Sequence, residues 1–308
     1  MALLALGDRW TLLILQRAFV LRTRRFGDWR AQLGVSDSTL AARLRDLVAA
    51  ELLERVPYDD NGRVREEYKL TPRALELYSL LVAIWGWEQS SMPGVQGAPV
   101  LMHDSCGKST LPVVGCGECK VVPVTARDTT AERGANAEFA KISVPRLHRR
   151  AQEPNMPPDA ISYYPQTMAI LGDRWSTAIL AASFIGIRRF NNFKSELGIA
   201  QSILSDRLRR FVALGVLHAP NDAGEYRLTA KGMAFFPVFA IIVDWAQRWY
   251  SADASRELTI RHSACGAPLR PVLFCTSCRE ELDRTTVHFE LATATATTEA
   301  SSGPDTTA

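Results

Sequence analysis

The chain has 308 residues, 47% of them hydrophobic, and a formal net charge of +3. Its length accommodates two ordinary domains of about 100–150 residues, and so weak a positive balance leaves any nucleic-acid affinity to local clusters of charge. No uninterrupted apolar stretch reaches the roughly 18 residues of a membrane helix, and Asp8 and Arg9 interrupt the apolar opening MALLALGDRWTLLIL, which argues against an export signal; a soluble cytoplasmic protein with no membrane partner is expected.

In chain order, the sequence writes one unit twice. LGDRWTLLIL, RRFGDWRAQLG, STLAARLRDL and H-x2-C follow one another from residue 6 to 106. LGDRWSTAIL, RRFNNFKSELG, SILSDRLRRF and H-x2-C follow in the same order from 171 to 265. Trp10 pairs with Trp175, Gly34 with Gly198 and Cys106 with Cys265, and this nearly constant displacement marks a duplicated domain.

Each copy opens with an amphipathic helix, about Leu3–Leu21 and Gln166–Ile185, on which Trp10, Leu13 and Ile14, or Trp175, Ala178 and Ile179, fall at helical spacing. These tryptophans read as core. A short second helix follows, about Arg25–Leu33 and Arg189–Leu197, ended by Gly34 and Gly198, which accept the left-handed conformation of a sharp turn. Ser36 and Ser38, or Gln201 and Ser202, stand where the third helix needs an N-cap, ahead of the apolar rows Leu40, Leu44, Leu47 and Leu204, Leu208, Phe211. Two helices joined by a tight glycine turn make a helix-turn-helix.

Asn61-Gly62 then separates two β-prone runs, Leu52–Tyr58 and Val64–Leu70, and predicts a hairpin, a candidate wing. The second wing, Leu217–Leu228 with its turn near Asn221-Asp222-Ala223-Gly224, is shorter and less basic. Thr71-Pro72 and Thr229-Ala230 start a last helix with a threonine cap, and Pro237 is expected to bend the second copy of it. The expected fold is mainly α with small β-hairpins, an α+β class. It comprises winged helix-turn-helix domain 1 (1–90), a cysteine module (100–124), a linker (125–160), winged helix-turn-helix domain 2 (161–251), a second cysteine module (259–290) and a disordered tail (291–308).

A recognition helix anchors one apolar face and turns short polar and cationic residues outward, toward base edges and phosphates. Asp37, Ser38, Thr39, Ala42, Arg43 and Arg45 would form that face in the first copy, and Gln201, Ser202, Ser205, Arg207, Arg209 and Arg210 in the second. Ser36 stands beside the first set. Arg22, Arg24, Arg25 and Arg30 cluster around one helix, and Arg188, Arg189 and Lys194 around the other. The first wing adds Arg55, Arg63, Arg65 and Lys69, the second mainly His218 and Arg227. A single arginine usually marks a solvated helix face; repeated clustering about a helix-turn-helix points to double-stranded DNA.

The order G-D-R-W, R-R-F, S-x-L-x-x-R-L-R, hairpin, Y-x-L-T and long apolar helix resembles the HxlR-type winged helix-turn-helix transcriptional regulators of bacteria and archaea, over about 1–90 and again over 160–250. The resemblance implies DNA-binding dimers that associate through their first and last helices. Here two units in one chain are expected to form an intramolecular pseudo-dimer, with a homodimer as the other arrangement. The first copy lacks counterparts of Tyr163-Tyr164-Pro165, so its start is either trimmed or lies upstream.

All six cysteines fall in two sets of one spacing, His103-x2-Cys106-x9-Cys116-x2-Cys119 and His262-x2-Cys265-x9-Cys275-x2-Cys278. Four soft or borderline ligands per set suit structural zinc, two sites in all, closed to substrate. A dithiol switch in the Cys-x2-Cys pairs, making a thiol-responsive regulator, and metal-free packing cysteines are the rivals. His148, His218 and His288 lack ligand spacing. With no Gly-rich phosphate loop and no nucleophile elbow, neither an enzyme nor an organic cofactor is expected. The alternative within DNA binding is that one head reads DNA while the other serves pairing; the short second wing points to the second head, Arg207, Arg209 and Arg210 against it.

Overall fold

The computed structural model describes residues 6, 8–91, 99–135, 164–250 and 258–290. His148, the rest of the expected linker (136–160), Tyr163 and the tail over 291–308 lie outside the described residues.

The first unit runs α1 (Arg9–Val20), α2 (Phe26–Leu33), α3 (Asp37–Ala49), β1 (Leu53–Asp60), β2 (Arg63–Leu70), α4 (Pro72–Leu75) and α5 (Tyr78–Ser91). Asp8 starts α1 by accepting from the backbone N–H groups of Trp10 and Thr11, both at 3.1 Å, which satisfies donors that have no partner within the helix. Gly34 stops α2 at φ 59°, and Ser36 caps α3 through the Thr39 N–H. Trp29, Leu33, Leu40, Leu44 and Leu47 are buried beneath the resulting helix-turn-helix, each worth about 1.5–3 kcal/mol of burial for a side chain of this size. The indole N–H of Trp29 donates to the Ile14 carbonyl at 3.3 Å, fixing α2 on α1.

β1 and β2 pair antiparallel from Leu53↔Leu70 to Asp60↔Arg63. Asn61 and Gly62 both take positive φ, 54° and 81°, as a two-residue hairpin requires. Thr71 caps α4 through the Ala74 N–H at 3.2 Å.

After α5 come β3 (Val100–His103), β4 (Lys108–Ser109), β5 (Val113–Cys116), a 3-10 turn at Ala126–Asp128 and β6 (Thr129–Arg133). Residues 125–135 are therefore structured, against the expectation of linker from 125. The Thr125 hydroxyl and Asp128 carboxylate close a capping box, and Thr129–Arg133 find a partner strand.

The second unit runs α6 (Pro165–Leu171), α7 (Arg174–Phe184), α8 (Phe190–Leu197), α9 (Gln201–Ala213), α10 (Ala230–Met233) and α11 (Phe236–Tyr250), followed by β7 (Leu258–His262), β8 (Pro271–Phe274) and β9 (Val287–Glu290). The single helix expected over 166–185 is two helices. Asp173, the counterpart of Asp8, accepts from the Trp175 and Ser176 N–H groups at 3.0 Å and starts a new one. Pro237 bends nothing. It lies in the first turn of α11, after the chain has already broken at Met233, where its missing N–H costs no helical bond. The second wing has no strand, only isolated bridges, Leu217 with Leu228 and Glu225 with Arg189. At α9 the cap position is Ala200, without a side-chain bond, and Gln201 and Ser202 are already helical.

α5 packs on α11, and the two units exchange equivalent hydrogen bonds. Trp87 Nε1 donates to the Lys231 carbonyl at 3.1 Å, and Trp245 Nε1 donates to the Arg73 carbonyl at 3.0 Å. Beyond the helices, the cysteine-rich segments interlock. The sheets are β4-β3-β9, β5-β8 and β6-β7, so every one of them joins strands of both segments.

Candidate nucleic-acid interface and metal centres

α3 and α9 expose the same face in both units. Ser36, Asp37, Ser38 and Arg45 are exposed in the first, and Gln201, Ser202, Asp206, Arg209 and Arg210 in the second, with Thr39 and Ser205 half-buried. Arg43 and Arg207, expected to face the groove, turn back onto their own domain. Arg43 Nε lies 2.9 Å from Asp8 Oδ1, and Arg207 Nε donates to Asp173 Oδ2 at 3.0 Å. Arg43 is also held by Asp46 at 2.9 Å and Arg207 by Asp206, leaving them only 28% and 25% exposed. The carboxylate that caps the first helix thus pins the third. Its signal in the sequence was the recurrence of G-D-R-W together with R-L-R, which periodicity assigns to separate elements.

The first wing is less cationic than its arginines suggest. Arg65 pairs with Asp60 at 2.9 Å, Arg55 with Glu66 at 3.5 Å and Lys69 with Glu67 at 3.3 Å. Arg25 lies over the Tyr58 ring, 4.5 Å from its centroid, bracing wing against α2. Arg30 pairs with Asp37 at 3.4 Å. Among the described residues, Arg22, Arg25, Arg45 and Arg63 are cations near the first helix-turn-helix that make no ion pair, Arg25 resting on the Tyr58 ring instead, with Val64 80% exposed at the wing tip. Around the second, Arg188, Lys194, Arg209 and Arg210 make none, while Arg189 stands 3.9 Å from Glu225. Arg45 and Arg209 occupy equivalent positions.

The eight expected metal ligands do come together, but crosswise. One group is His103, Cys106, Cys275 and Cys278; the other is Cys116, Cys119, His262 and Cys265. The reading of one site within each module is corrected: the strand pairings of β3 with β9 and β5 with β8 carry each knuckle away from its sequence neighbour. In the first group, His103 Nδ1 is 3.3 Å from both Cys106 Sγ and Cys278 Sγ, and Cys106 Sγ is 3.9 Å from Cys275 Sγ. In the second, His262 Nδ1 is 3.2 Å from Cys119 Sγ and 3.4 Å from Cys265 Sγ. A tetrahedron with metal–sulfur bonds of about 2.3 Å has sulfur–sulfur edges of about 3.8 Å, so the donor set and its spacing fit a tetrahedral ion of zinc type.

Four equivalent turns present these ligands. Gly107 N bonds the His103 carbonyl and Gly266 N that of His262, both at 2.8 Å; Lys120 N bonds the Cys116 carbonyl at 2.8 Å and Arg279 N that of Cys275 at 3.0 Å. All four donor residues have positive φ, from 60° to 70°. Only Gly107 and Gly266 carried that conformation as a sequence signal. Burial opposes ionisation of Cys275, yet hydrogen bonds from Thr110 and from the Cys278 and Ser277 backbone prevail and bring its thiol down to about 6. Its neighbour Cys278 is raised instead, the bond from the Glu280 backbone being outweighed by burial and by the hydrogen bonding with Cys275 and Cys106.

The family described as HxlR-like helix-turn-helix matches residues 5–95 and 170–254. The chain belongs to this family, in two tandem copies. An HTH-type transcriptional regulator of Mycobacterium tuberculosis is 40% identical over 134 residues, covering 43% of this chain and 83% of its own length. The HTH-type regulator YvaP of Bacillus subtilis is 30% identical over 92 residues, covering 28% of this chain and 85% of its own length. A solved structure described as a candidate transcription factor, PA1607, is 32% identical, covering 40% of this chain and 83% of its own, with a TM-score of 0.32. No described helix is long and apolar enough to cross a membrane.

Proposed function

We propose that the protein is a cytoplasmic, sequence-specific transcriptional regulator whose two heads bind double-stranded DNA as an intramolecular pseudo-dimer, with zinc as a structural ion in both His/Cys3 sites. The supporting observation is the equivalent placement of Arg45 and Arg209, exposed and without ion pairs, on two recognition helices whose domains are joined through α5 and α11. Ser38 and Thr39 in one head, and Gln201 and Ser202 in the other, are the short polar groups beside them, and Arg63 reaches out from the first wing. Linked heads raise the local concentration of the second once the first has bound, to the order of millimolar. The relatives are named as HTH-type transcriptional regulators, which agrees with this reading.

The two faces differ in sequence, so two non-identical half-sites are expected. Selection of bound sequences from random DNA tests this, and recovery of a perfect inverted repeat contradicts it. Among the described residues each head keeps cations outside any ion pair, Arg22, Arg25, Arg45 and Arg63 in the first and Arg188, Lys194, Arg209 and Arg210 in the second, although the first wing pairs Arg55, Arg65 and Lys69 with its own carboxylates.

A further inference from the structure

We infer that the metal fastens the two halves of the chain to each other, so that neither head carries a complete site and ion loading governs how firmly the heads are coupled. This rests on the zinc reading above and extends it to regulation of the pairing.

The division of ligands carries the argument. His103 and Cys106 come from the first module and meet Cys275 and Cys278 of the second; Cys116 and Cys119 of the first meet His262 and Cys265 of the second. Each half thus offers each ion two ligands. A two-ligand fragment completes no tetrahedron, so an ion that prefers the closed four-coordinate shell binds the paired arrangement and not the separated one. By linkage, each site multiplies the pairing constant by one plus the ratio of free zinc to its dissociation constant, about 100-fold when free zinc is 100 times that constant.

The modules also sit firmly on the helices that join the heads. Trp85 of α5 donates from Nε1 to the Pro99 carbonyl at 3.0 Å, and its ring meets that of Phe289, from the other module, at 5.5 Å. Gln247 of α11 donates to the Leu258 carbonyl at 2.6 Å. Between the modules, the Thr110 hydroxyl lies 3.0 Å from that of Thr276, and Lys120 pairs with Glu281 at 2.5 Å. Separating the metal sites therefore pulls directly on α5 and α11, the helices on which the heads rest.

The test is zinc content of the full chain and two quadruple variants. His103→Ala, Cys106→Ser, Cys275→Ser and Cys278→Ser together remove one crosswise site, and the protein should still hold one zinc. His103→Ala, Cys106→Ser, Cys116→Ser and Cys119→Ser together halve both sites, and it should hold none. The opposite pattern, none in the first and one in the second, places each ion within a module and overturns the inference. Zinc absent from the unmodified chain overturns the underlying zinc reading instead. A second measurement does not depend on the variants folding. A protease site inserted between residues 136 and 163 of the full chain is cut, and the nicked protein is run on gel filtration with zinc and after complete chelation. Chelation should raise the dissociation constant of the two fragments at least 100-fold; fragments that release their zinc and stay paired as tightly as before refute the fastening role.

Discussion

Replacing Arg207 by methionine and, separately, Arg209 by alanine separates two roles that arginines two positions apart on one helix play. Arg207 is three-quarters buried and donates to Asp173 Oδ2 at 3.0 Å. Its loss leaves Asp173 with the Trp175 and Ser176 N–H groups at 3.0 Å and the Ser176 hydroxyl at 2.5 Å, so the cap survives and only the ion pairs to Asp173 and Asp206 are lost. For a partly exposed pair that costs about 0.5–1 kcal/mol. Asp173→Ala removes cap and pair together, adding about 1 kcal/mol for the cap, for a total near 2 kcal/mol. At about 4–8 °C per kcal/mol in a domain of about 90 residues, the two changes should lower Tm by several degrees and by roughly twice that. Arg209→Ala touches no partner and should move stability by less than about 0.5 kcal/mol. It should instead weaken DNA binding by about 1–3 kcal/mol if it reads a base, or flatten the salt slope by about 0.9 if it meets a phosphate. Urea unfolding and fluorescence anisotropy on a selected DNA duplex measure both. An Arg207→Met protein that unfolds like the parent but loses tenfold or more in DNA affinity would refute the assignment, as would an Arg209→Ala protein that binds unchanged.

Glu88 is buried on α5, beside Lys231 and Tyr164, and its carboxylate accepts from the Thr167 N–H at 2.5 Å. Burial raises its pKa above the ordinary carboxylate range, against opposing hydrogen bonds from Thr167 and attraction to Lys231. The folded state then holds a proton that the unfolded chain has released, so its contribution to stability falls as pH rises from the ordinary carboxylate value through the raised one. Glu88→Gln keeps an acceptor for Thr167 and should abolish that slope in urea titrations taken between pH 4 and 8. Gly232→Ala would place a methyl group 2.2 Å from the Val216 carbonyl oxygen, a backbone atom, and should cost more than about 3 kcal/mol by the overpacking route, read as a loss of second-unit near-UV dichroism. Trp87→Phe and Trp245→Phe each remove one of the reciprocal bonds between units. Each should cost about 1 kcal/mol, and the two losses should add if the bonds act independently in a double-mutant cycle.

What the sequence made legible was local. Asn61-Gly62 announced the first wing because a two-residue hairpin has few chemical solutions, and Gly34, Gly198, Thr71 and Thr229 marked helix ends for the same reason. The repeat itself revealed the family. What remained hidden depended on which distant groups meet. The eight metal ligands were identifiable by type and spacing, yet spacing within a module favours neighbours, and only the pairing of β3 with β9 and β5 with β8 redistributes them. Arg43 and Arg207 looked outward on a helical projection, but that projection contains no Asp8 or Asp173. The division at Asp173 and the harmless position of Pro237 followed from side chains competing for backbone donors, which an apolar period does not register.

The interlocked strands impose a timetable on synthesis. His103 waits for Cys278, 175 residues further along, and at about 5–20 residues per second a ribosome needs roughly 10–35 s to deliver that stretch. Throughout that interval the amino-terminal half has emerged with its thiols unmatched and its sheet edges open. Assembly of the appendage is a late event, available only once the second cysteine module has been made.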